Sequence, residues 1–279
     1  MPPSIRHPSQ AFSAPAACWP TAVLKAAAAG WCVVAVVGQL MFAGYVAVFY
    51  GRAVADGQTS RWNQTLPSGL VPGDTLGNGV VASHLLFAVL IIVGGAIQLL
   101  PQVRRRAPAL HRWNGRVYLF SAVVMSLGGL FIVGTRQGVG DTSQHLAICV
   151  NALLILTFAA LAGRDAVARR FDSHRRWALR LYLAVAGVWF FRIGLMAWLV
   201  LNRGPAGFDP RSFQGPFLTF LAFAQYLLPL SVLEIYFRVR AQAGSRGRLA
   251  MAAGLGVITL LTALGIGAAA MLMWLPRLR

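Results

Sequence analysis

Four of the chain's five histidines fall into two similar settings, and paired neutral imidazoles on facing helices are what a b-type haem iron requires. His111 heads the word "HRWNGRVYLF" and His174 heads "HRRWALRLYLA". One spare residue aside, both read His-Arg, then Trp, then Arg, then Tyr-Leu. Upstream, His84 opens "HLLFAVLIIVGG" and His145 opens "HLAICVNALLIL". The separations are 27 residues (84 to 111) and 29 residues (145 to 174). Each unit therefore reads outer histidine, apolar run, basic loop, inner histidine.

The elements that position these residues follow from composition. The chain is 57% hydrophobic and 11% charged, against about 25% charged in a soluble domain. Apolar runs of roughly 20 residues cross a bilayer. They predict seven spans, at about 26–49, 80–100, 116–134, 143–162, 178–201, 214–237 and 249–274. The expected fold is an all-α, polytopic transmembrane helical bundle with no room for a sizeable soluble domain. Residues 1–22, rich in Pro, Ser and Ala, read as a disordered cytoplasmic terminus, and 23–279 as one transmembrane domain. The apolar stretch of the first span exceeds the roughly 7–15 residues of a signal core, which predicts an uncleaved anchor. Spans 2–3 and 4–5 form two repeat units, at about 80–135 and 142–201, related by a pseudo-twofold axis along the membrane normal.

The net charge of +18 is distributed by side, which argues against nucleic acid as a partner. Fifteen arginines fall in the loops after the second, fourth and sixth predicted spans; Arg52, Arg61, Arg136, Arg203 and Arg211 fall in the alternate loops. That asymmetry places the amino terminus inside and the carboxyl terminus outside, with the segment 51–78 outside. Cys18, Cys32 and Cys149 lack metal-type spacing, and no Cys-x-x-Cys-His is present, so covalent haem is excluded. Only seven acidic residues exist, and Glu234 is the one within a span. No nucleophile triad or carboxylate dyad assembles from this set, and no catalytic residue is assigned.

With this topology His84 and His145 become an outer pair, and His111 and His174 an inner pair. Each pair could ligate one haem b, and two haems would make a transmembrane electron path. The competing reading makes the histidines polar groups satisfied by neighbouring helices, with Trp113 and Trp177 as interfacial anchors. Arg112, Arg116, Arg175, Arg176 and Arg180 suit haem propionates and lipid phosphates equally. Arg192 lies roughly 14 Å inside the fifth span at 1.5 Å per residue. It is expected to meet Asn151, Gln225 or an outer propionate rather than Glu234. Tyr118 and Tyr182 read as packing residues, and Gly265 and Gly267 as a close helix contact.

These motifs carry a resemblance. His84, Gln98, Pro101, Arg104, His111-Arg112, Gly115-Arg116, Tyr118, the "HRRW" at His174, Arg180 and Arg192 resemble the bacterial membrane family named domain of unknown function 2306. The resemblance implies a bacterial cytoplasmic (inner) membrane location and no known activity. The four central spans are also similar in layout to cytochrome b561. That likeness implies that His84 pairs with His145 and His111 with His174, around up to two haems b. On it the chain is a transmembrane electron carrier, a cytochrome b-type oxidoreductase acting on a quinone or another small-molecule donor or acceptor. The alternatives are a haem-free small-molecule transporter or channel, or a structural or sensory membrane protein.

The arginine asymmetry predicts that a cysteine introduced at Arg105 is protected from an impermeant outside reagent, while one at Gln64 reacts. The reverse labelling pattern would invert the topology.

Overall fold

The computed structural model describes residues 19–66, 68–136 and 140–278. Among them the chain forms nine α-helices: α1 (Trp19–Ala55), α2 (Thr75–Leu99), α3 (Pro101–Arg106), α4 (Pro108–Thr135), α5 (Thr142–Val167), α6 (Phe171–Val185), α7 (Gly187–Leu201), α8 (Pro216–Gln242) and α9 (Ser245–Ala269). Six helices are individually long and apolar enough to cross a membrane; α6 and α7 together make a seventh, bent by 49°. The predicted fifth span is therefore broken at Ala186. Residues Trp19–Ala22 are helical, so the boundary expected at 22 moves back, and the preceding residues lie outside the described chain.

Local chemistry sets the helix ends. Asp74 accepts from the Gly77 N–H at 2.8 Å to cap α2, and Asp141 accepts from the Gln144 N–H at 2.9 Å to cap α5. Pro101, Pro108 and Pro216 open α3, α4 and α8, where a missing N–H costs nothing. The break between α6 and α7 coincides with a contact from another helix. Asn151 of α5 donates to the Ala184 carbonyl at 3.2 Å, inserting a side chain where the helix ladder would close. Gly187 makes room: a Cβ there would lie 3.0 Å from Asn151 Nδ2 and 3.6 Å from Gln225 Oε1 of α8.

The first and last spans pack side by side and run the same way. Arg248 donates to Thr21 at 2.7 Å, Trp31 to Thr262 at 3.3 Å, and Arg52 to the Leu278 carbonyl at 3.2 Å, while the Phe42 and Trp274 rings are 5.7 Å apart between them. A chain that reverses at every crossing brings its first and last spans parallel only if the crossings are odd in number. The bent α6–α7 pair therefore counts as one full crossing, and the bundle has seven. Small residues allow the close approaches. Gly38 receives Ile266 and Trp189, and Gly265 lies against the Ile193 carbonyl, where a Cβ would sit at 2.7 Å. Gly267 instead has open space, so only one of the two glycines expected to pack does so.

Residues 68–78 form a cap around one arginine. Arg136, 8% exposed, donates to the Ser68 carbonyl (2.6 Å), the Gly69 carbonyl (3.0 Å), Asp74 Oδ2 (2.8 Å) and Asn78 Oδ1 (2.8 Å). Asn63 and Asn78 hold the Leu70 and Val71 backbone by reciprocal bonds. Arg136 thus ties the end of α4 to the start of α2.

Arg136 and the Gly77 N–H hold the Asp74 carboxyl below its usual range. A depressed carboxylate pKa contributes stability above the unfolded value, and that contribution is lost as pH falls through the folded value. Acidification below about pH 4 should loosen the cap, and Asp74→Asn should remove this acid sensitivity. Arg136→Leu should cost on the order of 3 kcal/mol, read as a lower unfolding temperature and faster proteolysis between residues 57 and 74.

Candidate functional site

The two histidine words are locally alike. His111 is the fourth residue of α4 and His174 the fourth of α6. In both, the arginine three residues after the tryptophan lies over its ring: Arg116 is 5.0 Å from the Trp113 centroid and Arg180 4.5 Å from that of Trp177. The partners then diverge. Trp113 is 65% exposed, whereas Trp177 tilts against Phe158 and Arg180 forms a 2.7 Å ion pair with Glu234 of α8. Arg112, Arg116, Arg175 and Arg176 are exposed at this basic end of the bundle.

Each histidine has its own surroundings. His174 donates from Nδ1 to the Ala162 carbonyl at 2.9 Å, which leaves Nε2 as the free ring nitrogen. His111 lies within electrostatic range of His174, and its Nδ1 is buried without a partner among the described residues. Its backbone carbonyl accepts from Gln98 at 2.8 Å. His84 is the tenth residue of α2, its Nδ1 opposite Gly128 of α4, and His145 is the fourth of α5. The inner pair matches in helix register; the outer pair differs by six residues, about 9 Å along a helix.

The middle of the bundle is filled. Asn114 donates to the Gly94 carbonyl at 2.8 Å, and the Tyr118 and Tyr182 rings close on Gly95, as expected for packing residues. Tyr182 donates to Gln39 of α1 at 2.9 Å. These contacts lie ten to eleven residues past His84 along α2 and within seven residues of His111 on α4, towards the basic end of the bundle.

Arg192 meets neither Asn151 nor Gln225, whose amide N–H groups bond the Ala184 and Ala222 carbonyls and whose amide oxygens have no partner among the described residues. As expected it does not meet Glu234, which pairs with Arg180. The Arg192 guanidinium lies 5.2 Å from the Phe42 ring centroid, on a span outside the repeat units. A periodicity argument confined to the repeat could not have supplied that partner.

Two features had no sequence signal strong enough to single them out. Asp165, 1% exposed, gathers Arg164 (3.0 Å), Arg170 (2.7 Å) and Ser173 and so clamps the α5–α6 turn. The other is a cleft of about 1350 Å³ between α1, α6–α7, α8 and α9. Its walls are apolar, from Trp31, Phe190, Ala197, Leu228, Pro229 and Leu261 among others, with Gln225 and Tyr182 midway. Lys25, Arg175, Arg176 and Arg240 border it at the basic end. None of the four histidines lines it.

The packing at Gly95 yields a direct test. A Cβ there would lie 3.1 Å from Tyr118 and 3.2 Å from Tyr182, so Gly95→Ala should destabilise by about 1–3 kcal/mol through overpacking. Gly79→Ala on the same helix meets open space and should gain up to about 1 kcal/mol. Unfolding temperatures in detergent distinguish the two.

No curated protein and no solved structure matches the chain. The sequence model of one family, described as "Predicted membrane protein (DUF2306)", matches residues 81–228, from α2 into α8. With more than half its length inside that match, the chain belongs to the DUF2306 family of predicted membrane proteins.

Proposed function

We propose that the protein is a haem-free carrier that binds an amphipathic small molecule within the bilayer and passes it along the bundle. The observation that carries this reading is the cleft. Its volume of about 1350 Å³ exceeds the roughly 300–1000 Å³ of ordinary ligand pockets and suits a chain-bearing molecule. Apolar walls would hold the chain, and the cationic border of Lys25, Arg175, Arg176 and Arg240 would hold an anionic head. The break at Ala186 lies on the cleft's own wall, between Leu183 and Phe190, and gives α7 a hinge about which the wall could move. By the arginine asymmetry the head would sit on the cytoplasmic side.

The test is the composition of the purified protein. Organic extraction should recover an anionic amphiphile at about one per chain. Ala197→Trp, which fills the cleft, should lose it, and Arg176→Glu with Arg240→Glu should weaken it about tenfold. A wild-type chain that retains no amphiphile sinks the reading.

A second reading keeps one haem b between His111 and His174, with a membrane quinone as electron acceptor. It is favoured by the Nδ1 bond of His174 to the Ala162 carbonyl, which fixes the tautomer that presents Nε2 to a metal. Arg112 and Arg175 would face the propionates, and the haem would supply one-electron chemistry when bound. Absorption spectra of the purified protein, oxidised and then reduced, decide between the readings. Haem absorption that His111→Ala and His174→Ala both remove supports the second. A spectrum without haem in both states eliminates it.

A further inference from the structure

Arg192 carries its charge within the fifth span, half-buried against the bundle, and the side chains around it include donors. Its Nη1 reaches back to the Val188 carbonyl at 3.3 Å, one turn deeper in α7. The guanidinium therefore turns back along α7 towards the bend at Ala186 rather than out towards the end of the span at Leu201. The face of Phe42 offsets part of its desolvation. Its ionisable neighbours within electrostatic range are Tyr45, Tyr50 and His84, and among the described residues no carboxylate forms an ion pair with it.

The second observation is a set of buried donors without acceptors. Tyr45 is 4% exposed, and its hydroxyl has no partner among the described residues. The adjacent Thr65 hydroxyl is engaged by Tyr50 at 2.8 Å. Trp274 is 2% exposed, with its ring 5.7 Å from that of Phe42 and 6.5 Å from that of Tyr45, and its indole N–H is also unpartnered. It closes a π-helical turn, Ala270–Trp274, a wide turn that is frequent at functional sites. Above this cluster lies a vestibule of about 320 Å³ lined by Arg52, Arg61, Arg277, Asp56 and Phe49. The Phe49 ring stacks on Tyr45 at 5.6 Å, joining vestibule to cluster.

We propose that Arg192, with the Tyr45 hydroxyl and the Trp274 indole N–H, binds a small monovalent anion that enters through the arginine vestibule. A guanidinium held within a membrane span without a counter-charge is costly, and one negative charge neutralises it. A water molecule needs acceptors as well as donors, whereas an anion uses donors alone. The site is separate from the amphiphile cleft and does not depend on its occupant.

The experiment uses the full-length protein in detergent. Unfolding temperature is measured against sodium chloride, sodium acetate and sodium gluconate at constant ionic strength. The wild type should show a saturating rise with chloride or acetate and none with the bulky gluconate. Tyr45→Phe, which keeps the ring, should weaken the response about tenfold. Arg192→Leu should abolish it, and if that variant does not fold, Tyr45→Phe and Trp274→Phe decide. Equal responses to all three salts, no saturating response, or responses in Tyr45→Phe and Trp274→Phe identical to wild type would overturn the proposal.

Discussion

A helix that breaks inside a bilayer frees carbonyls that lipid cannot satisfy, and the fifth span breaks midway along its length. Asn151 answers this by donating to the Ala184 carbonyl, and Gly187 has no side chain to keep it away. Much else follows from that contact. It couples α5 to the bend and turns α7 towards α9, where the Ile193 carbonyl meets Gly265. It also leaves a wall of α6 and α7 facing the cleft. The same constraint explains why other buried amides reach for backbone. Asn114 takes the Gly94 carbonyl, Gln98 takes that of His111, and Gln144 takes that of Phe213.

Ionic groups are handled differently at the two ends. At the basic end, Asp165 and Glu234 gather arginines into the α5–α6 turn and across to α8. At the opposite end, Arg136 binds carbonyls and the Asp74 carboxylate and turns a polar loop into a cap. Arg192 lies between these regimes, with an aromatic face as its main support. The family match ends within α8 and omits α1 and α9. α1 supplies Phe42 and Tyr45 around that arginine, the turn that follows α9 supplies Trp274, and both helices wall the cleft. None of the four histidines lines either cavity, although α6 and α7 of the second hairpin form a wall of the cleft.

The sequence by itself determined the span count, the helix-start position of both inner histidine words and the basic end of the bundle. Each is a property of one segment: its transfer free energy into lipid, its proline or capping residue, its local charge. The i, i+3 stacking of Trp113 with Arg116 and of Trp177 with Arg180 was equally local, fixed by helical spacing. Only the tertiary structure decided the parallel pairing of α1 with α9, the bend at Ala186, the cleft and the partner of Arg192. The physical reason is the solvent. In water an amphipathic stripe shows which face packs, but in lipid the outward face is as apolar as the inward one. Partner choice then rests on shape, through Gly38, Gly187 and Gly265, and on single buried polar side chains. Neither leaves a periodic signal along the chain.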